Sequence, residues 1–142
     1  MREYIKVRES AENYLKAIYI LHERLGEVHS VDVAKELGVS KPSVSIAVKK
    51  LRDEGLVSID GKHNLVLTKD GLAYAASVFE RHVVLERFLT DFLDVDVETA
   101  HNDSCRLEHT VSTKTFYKIK KIYDGIDSTV EDKVRKLAAD AD

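Results

Sequence analysis

Nine consecutive residues, His101-Asn102-Asp103-Ser104-Cys105-Arg106-Leu107-Glu108-His109, hold two imidazoles, one thiol and the carboxylates of Asp103 and Glu108. In an α-helix each residue turns about 100° around the axis. With His101 at 0°, Cys105 falls near about 40°, Glu108 near about −20° and His109 near about 80°, so the four share an arc of about 100°. Nitrogen and sulfur donors beside an oxygen donor, in register on one helix, are the chemistry of a divalent metal site. The alternative is a polar helix face on which His and Cys coincide. His82 and Glu86 stand four residues apart on another helical stretch and offer a second metal candidate, which an ion pair explains equally well. His22 and His29 read as surface residues with no role.

The elements that must position these side chains begin with a helix over Ser10 to Leu25, capped by Ser10 and ended by Gly26. Tyr14, Ala17, Ile18, Leu21 and Leu25 keep helical spacing on its inner side. A short helix follows Ser30, with Asp32 in its first turn, Val33, Ala34 and Leu37 inward and Gly38 at its close. Ser40 then caps a third helix with Pro42 in its first turn. Val44, Ala47, Val48 and Leu51 point inward from it.

A short helix, a Gly turn and a capped second helix form a helix-turn-helix pattern. In such a unit the opening residues of the second helix meet base edges. Here those are Ser40, Lys41, Pro42, Ser43, Ser45 and Ile46, while Lys49, Lys50 and Arg52 are placed for phosphates. The stretch from Lys41 to Arg52 carries four basic residues and no acid, although the whole chain has a formal net charge of −3. Local patches decide phosphate binding, not totals. Two core helices with a solvated basic face are the competing reading.

Leu56-Val57-Ser58-Ile59 and Asn64-Leu65-Val66-Leu67 read as strands around the turn Asp60-Gly61-Lys62-His63. A hairpin there makes the unit a winged helix, with Lys62 and His63 at the wing tip beside phosphates. From Thr68, as cap, a long helix runs to about Leu93 with one stripe of Leu72, Ala76, Phe79 and Val83 and another of Leu85, Phe88, Leu89 and Phe92. Two stripes imply two packing partners, the winged domain and a second subunit. Asp94 to Glu98 breaks the pattern before the donor-bearing helix. Two more helices follow, over Ser112 to Tyr123 and Thr129 to Ala139.

The chain of 142 residues is long enough for one domain or two small ones. It has no apolar run near the roughly 18 residues of a membrane span and no stretch resembling a signal peptide. A single cysteine suits a reducing compartment and leaves Cys105 free as a thiol or ligand. The expectation is a cytoplasmic protein with no membrane partner and no small organic substrate.

A winged helix followed by helices carrying Cys105-x-x-Glu108-His109 resembles the iron-dependent repressor family, which includes diphtheria-toxin-repressor-like and manganese-transport-regulator-like proteins. The likeness runs from Glu12-Asn13-Tyr14-Leu15 to Leu107-Glu108-His109-Thr110 and is close over Arg81-His82-Val83-Val84-Leu85-Glu86-Arg87-Phe88-Leu89-Thr90-Asp91. It implies a mainly α fold: a winged helix-turn-helix DNA-binding domain over residues 1–72, then an all-helical metal-binding and dimerisation domain over 73–142. It implies the two-domain form, without the SH3-like third domain of full-length iron regulators.

The function implied is that of a homodimeric, metal-activated repressor on palindromic double-stranded operators that controls metal uptake. One or two divalent ions per subunit, Fe(II) or Mn(II), are the implied cofactors. By the same resemblance, Cys105, Glu108 and His109 form the regulatory metal site, and His82, Glu86 and His101 form an ancillary one. The first-helix ligand position, Met in iron-type and Asp in manganese-type members, is Asn13 here. Lys16 stands where manganese-type members place a further carboxylate, and Cys105 stands where they use Glu. These departures favour Fe(II), the softer ion for a thiolate.

Three other readings compete with this one. A winged-helix regulator could answer to an organic ligand or a protein, a metalloenzyme could use the open metal position, and an interaction module could bind no DNA. Metal titration separates the first, the lack of a separate general base or substrate pocket weighs against the second, and failure to bind duplex at low salt would mark the third.

Overall fold

The computed structural model of the chain describes residues 2–124, with side chains for residues 8–123. The helix expected over Thr129 to Ala139 lies outside the described residues. Helix α1 (Arg2–Leu25) begins well ahead of the expected start at Ser10. Residues 2–9 contain no Gly or Pro and are rich in Arg, Glu and Lys, so helix propagates through them and Ser10 becomes an exposed interior position, not a cap. Gly26, at φ +80°, ends α1 and donates its N–H to His22 O at 2.9 Å.

Helix α2 (Ser30–Leu37) starts after His29, whose backbone N–H donates to Asp32 Oδ2 at 2.9 Å, and closes at Gly38 with φ +64°. Helix α3 (Lys41–Asp53) follows, with the Ser43 N–H donating to Ser40 Oγ at 3.3 Å and Pro42 in the first turn. Val44, Val48 and Leu51 turn inward.

Strands β1 (Val57–Ile59) and β2 (Leu65–Leu67) pair antiparallel in the register Val57↔Leu67, Ser58↔Val66, Ile59↔Leu65. Each is one residue shorter than expected at its start. The Leu56 N–H is taken by Leu51 O, and Asn64 is turned back on Asp60. The Asp60 carboxylate accepts from Lys62 N, Asn64 N and Asn64 Nδ2 at 2.8, 2.9 and 3.1 Å, which holds the wing tip. Those bonds, led by the Asn64 backbone, hold the Asp60 carboxyl below the usual range.

Helix α4 (Lys69–Asp91) is capped by Thr68, which accepts from Gly71 N at 3.0 Å. A Cβ at Gly71 would stand 1.8 Å from Leu56 O, so only glycine lets the start of α4 seat against the base of the wing. The helix runs unbroken through positions 72 and 73, so the winged unit and the helices behind it share it. Helix α5 (Val97–Thr110) opens on Asp96, which accepts from Thr99 N at 3.0 Å, and α6 (Thr113–Asp124) follows directly. The described residues are therefore mainly α, a winged helix-turn-helix followed by helices.

Helix α1 is the common support. Tyr14, Leu15, Ile18 and Leu21 pack with Val33, Val44, Val48, Leu51, Val57 and Leu65 in the largest core cluster. Tyr19 and Ile20 of the same helix pack against Phe79 and Val83 of α4. Two expected core positions are not buried: Leu25 is 51% exposed and Leu72 49%. Leu25 ends α1 beyond its last packed turn, and Leu72 faces outward because Gly71 takes the contact with the wing. Among the described residues no helix is long and apolar enough to cross a membrane.

Candidate metal centre and nucleic-acid interface

Three helices meet at the donor stretch. From α5, Glu108 and His109 are buried, Cys105 is half-buried and His101 is exposed. From α4 comes His82, 8% exposed, and one turn on, Glu86. From α1 come Glu12, Asn13 and Lys16. The last turn of α5 is held from behind by Arg81, which donates to Glu108 O at 3.2 Å, Val111 O at 2.7 Å and Thr113 Oγ1 at 3.0 Å.

Contacts run through these groups without a break. His109 Nε2 lies 2.9 Å from Asn13 Oδ1 and 3.1 Å from Glu108 Oε1. Glu108 Oε2 lies 2.8 Å from His82 Nδ1, and His82 Nε2 lies 2.7 Å from Glu86 Oε2. Glu86 Oε2 is 3.4 Å from His101 Nδ1, and Cys105 Sγ is 3.8 Å from His101 Nε2 and 3.9 Å from His82 Nδ1.

All seven metal candidates read from the sequence therefore fall in one region. Their grouping differs from the two sets that the family resemblance implies. His82 faces Glu108 and Cys105 as well as Glu86, so the sets adjoin through it. Donor atoms of His82, His101 and Cys105 lie within 4.8 Å of one another. Bond lengths of about 2.0–2.3 Å put two ligands of one ion at most about 4.6 Å apart, so small side-chain shifts would bring these three onto one ion.

Two further participants, Glu12 and Lys16, lie outside the donor set that the sequence pattern marks. Glu12 is 3% exposed, with Oε2 at 3.4 Å from His109 Nδ1 and Oε1 accepting from Arg8 at 3.2 Å. Lys16 Nζ donates to Glu108 Oε1 at 2.5 Å. The signal was present: Glu12, Asn13 and Lys16 cover an arc of about 100° on α1, a polar patch beside the apolar side of Tyr14, Leu15 and Ile18. Where that patch points is a tertiary fact.

The centre is strongly ionised. Burial pushes the His82 imidazolium toward losing its proton, but Cys105 and Glu108 more than offset this and raise its pKa to about 9. Burial acts likewise on His109, where Glu108 and Glu12 win and the pKa rises to about 9. Burial would push the Glu108 carboxyl up, yet His109, His82 and Lys16 together hold it down at about 2. The buried Glu108 carboxylate thus sits among basic side chains from three helices, and the two imidazoles have Glu86 and Glu12 as further carboxylate partners.

Imidazole, thiol and carboxylate donors converge here, and the fully buried Glu108 Oε2 has no partner in hydrogen-bond geometry, its approach to His82 being off the bonding direction. Both observations fit a divalent transition-metal ion.

The nucleic-acid candidates form a separate surface. Ser40, Lys41, Pro42, Ser43, Ser45, Ile46, Lys49, Lys50 and Arg52 are all exposed along α3 and its cap, Ile46 at 72%. Lys62 and His63 are exposed on the wing turn, His63 at φ +62°.

Comparison with known proteins fits both surfaces. The family description "Iron dependent repressor, N-terminal DNA binding domain" matches residues 6–65, and "Iron dependent repressor, metal binding and dimerisation domain" matches residues 68–133. The chain belongs to the iron-dependent repressor family. This is a family of DNA-binding repressors, not of enzymes. Within the iron-dependent repressor family, the diphtheria toxin repressor of Corynebacterium efficiens is 31% identical over 118 residues, covering 83% of this chain and 51% of that protein. The solved structure of the manganese regulator SloR is 37% identical with a TM-score of 0.72, over 80% of this chain and 53% of that one. ScaR with bound Zn2+ is 32% identical with a TM-score of 0.70, again over 80% and 53%. The chain spans about half the length of the diphtheria toxin repressors it matches.

Proposed function

We propose that this chain is a metal-dependent, homodimeric transcriptional repressor of metal-uptake genes, with Fe(II) favoured and one or two divalent ions per subunit. Residues 1–72 would bind DNA, and residues 73–142 would bind metal and dimerise. Asn13, Cys105, Glu108 and His109 would hold the regulatory ion, with His82, Glu86 and His101 as the adjoining set. A bound divalent cation would supply concentrated positive charge to Glu108 and the Cys105 thiolate. Cys105 supports iron, as a soft donor.

One observation carries this reading. Helix α1 belongs to the core of the winged unit, and its Asn13 reaches His109 on the donor helix at 2.9 Å. Ligands shared between α1 and α5 would fix how the winged unit sits, so that two recognition helices in a dimer meet successive major grooves of a palindromic operator, about 34 Å apart. Phe92, Leu93, Val97, Tyr117 and Ile122, all exposed at the α4–α5 junction and on α6, support a second copy as partner. With DNA as its partner, the protein would work in the cytoplasm.

The second reading is a manganese-responsive repressor of the same family, favoured by the likeness to the manganese regulator SloR. Anaerobic fluorescence anisotropy with duplex from upstream of its own gene, with no metal, Fe(II) or Mn(II), tests both. Stronger binding with Fe(II) than with Mn(II) is expected, and an equal or greater Mn(II) response selects the second reading. Tight specific binding without metal would overturn the metal-dependent function.

A further inference from the structure

Glu108 is met by basic side chains from three helices: His109 from its own α5, His82 from α4 and Lys16 from α1. The two imidazoles can become neutral ligands by losing a proton. The lysine cannot contribute in that way while it remains an ammonium, because that group has three donors and no lone pair. Its Nζ stands 2.5 Å from Glu108 Oε1, with the carboxylate fully buried and the Lys16 side chain 16% exposed. Lys16 therefore covers one oxygen of the carboxylate at the middle of the centre.

We propose that Lys16 is a tethered competitor of the metal, holding Glu108 in the metal-free protein and leaving it when a divalent ion takes the carboxylate. Lys16 thereby sets the metal concentration at which the protein responds. This rests on the metal-binding reading of the site.

Two features support displacement. Like charges disfavour one another strongly within a few ångströms in a partly buried setting, so ion and ammonium cannot both sit on Glu108 at full strength. The ammonium also has somewhere to go. Lys16 lines an open cavity of about 620 Å³ between α1, α2, α4 and α5, which His82, His101 and Cys105 share and where Glu9 and Glu36 also stand. Its four-carbon stem can withdraw the charge into that open space.

The ion pair also acts on the arrangement of the helices. Without metal, Lys16–Glu108 already ties α1 to α5 across 92 residues of sequence. A metal would replace this tie with one through Asn13 and His109 on the same two helices. The metal-free form is then a defined competing state, and its ion pair opposes the metal.

The test is metal affinity of the full chain, read anaerobically by competition with a chelating dye using Mn(II) and Co(II). Lys16→Met should bind about tenfold more tightly or better than wild type, since a charge within ~4–6 Å of the ligand is removed. Lys16→Arg, which keeps the charge, should stay near the wild-type affinity. Unchanged or weaker binding by Lys16→Met, with wild-type binding intact, would overturn the proposal alone. If neither wild type nor Lys16→Met takes up metal, the metal-binding reading fails and the proposal with it.

A measurement on wild type needs no variant to fold: acetylation of Lys16, read by peptide mass spectrometry, should speed up severalfold when Mn(II) is added. Unchanged or slower acetylation in protein that has bound metal would show that the ammonium stays on Glu108 and would overturn the proposal.

Discussion

Asn13 Oδ1 on the first helix lies 2.9 Å from His109 Nε2 on the fifth, across 96 residues of sequence. Few side chains connect the helix supporting the winged unit with the helix carrying the metal donors, and this contact lies at the centre of them. It makes His109 the candidate ligand whose loss should show most directly what this contact between the two helices contributes.

His109→Ala should lower metal affinity by at least about 10–100-fold, the loss typical even of an outer-shell partner. Isothermal titration with Mn(II) measures it. The buried Glu12 and Glu108 carboxylates lose a partner, so unfolding should also become easier by about 1–3 kcal/mol. The helical circular dichroism spectrum should remain that of wild type. Wild-type metal affinity in the variant would remove His109 from the ligand set.

The metal-free protein should be sensitive to pH in a defined direction. His82 and His109 titrate at about 9 when folded, against 6.5 in the unfolded chain. Their contribution is thus fully present below pH 6.5 and is lost as pH rises through about 9. Glu108, at about 2 against 4.5, contributes above pH 4.5, and that contribution is lost as pH falls through about 2. Urea unfolding in the presence of a chelator should therefore give midpoints that are highest between these limits and decline steadily toward pH 9. A midpoint constant or rising over the alkaline range would contradict the ionised centre.

Lys49 is exposed on α3 beyond the residues expected to meet base edges. Lys49→Ala should weaken binding to all duplexes alike and reduce the slope of log affinity against log salt by about 1. Salt titrations with upstream and random duplexes measure this. A loss confined to one sequence would make Lys49 a base reader.

The local features of this molecule were legible because they follow helical period and capping chemistry. Ser40, Pro42, Thr68 and the glycines at 26 and 38 marked their elements correctly, and the donor stripe of His101, Cys105, Glu108 and His109 lies on one helix as its spacing requires. Ser10 misled because a good cap residue stops nothing when good helix formers precede it. Leu25 and Leu72 misled because spacing alone does not show where a packed face ends.

What the sequence could not show was the meeting of helices. His82 has Glu86 one turn away in its own helix, and that local pair conceals its contacts with Glu108 and Cys105. Lys16 was visible only as a basic residue where a carboxylate would suit a metal. That its ammonium rests on Glu108 depends on how α1 crosses α5.

Under the proposed function, metal and DNA act on one shared arrangement of α1 and α5. The most direct measurement is metal affinity with and without saturating upstream duplex. Linkage requires DNA to tighten metal binding by the same factor that metal tightens DNA binding, about 5–150-fold for a typical coupling of about 1–3 kcal/mol. Matching factors in that range are expected. Identical metal affinity with and without DNA would contradict the claim and leave the donor cluster and the recognition surface as two independent features of one chain.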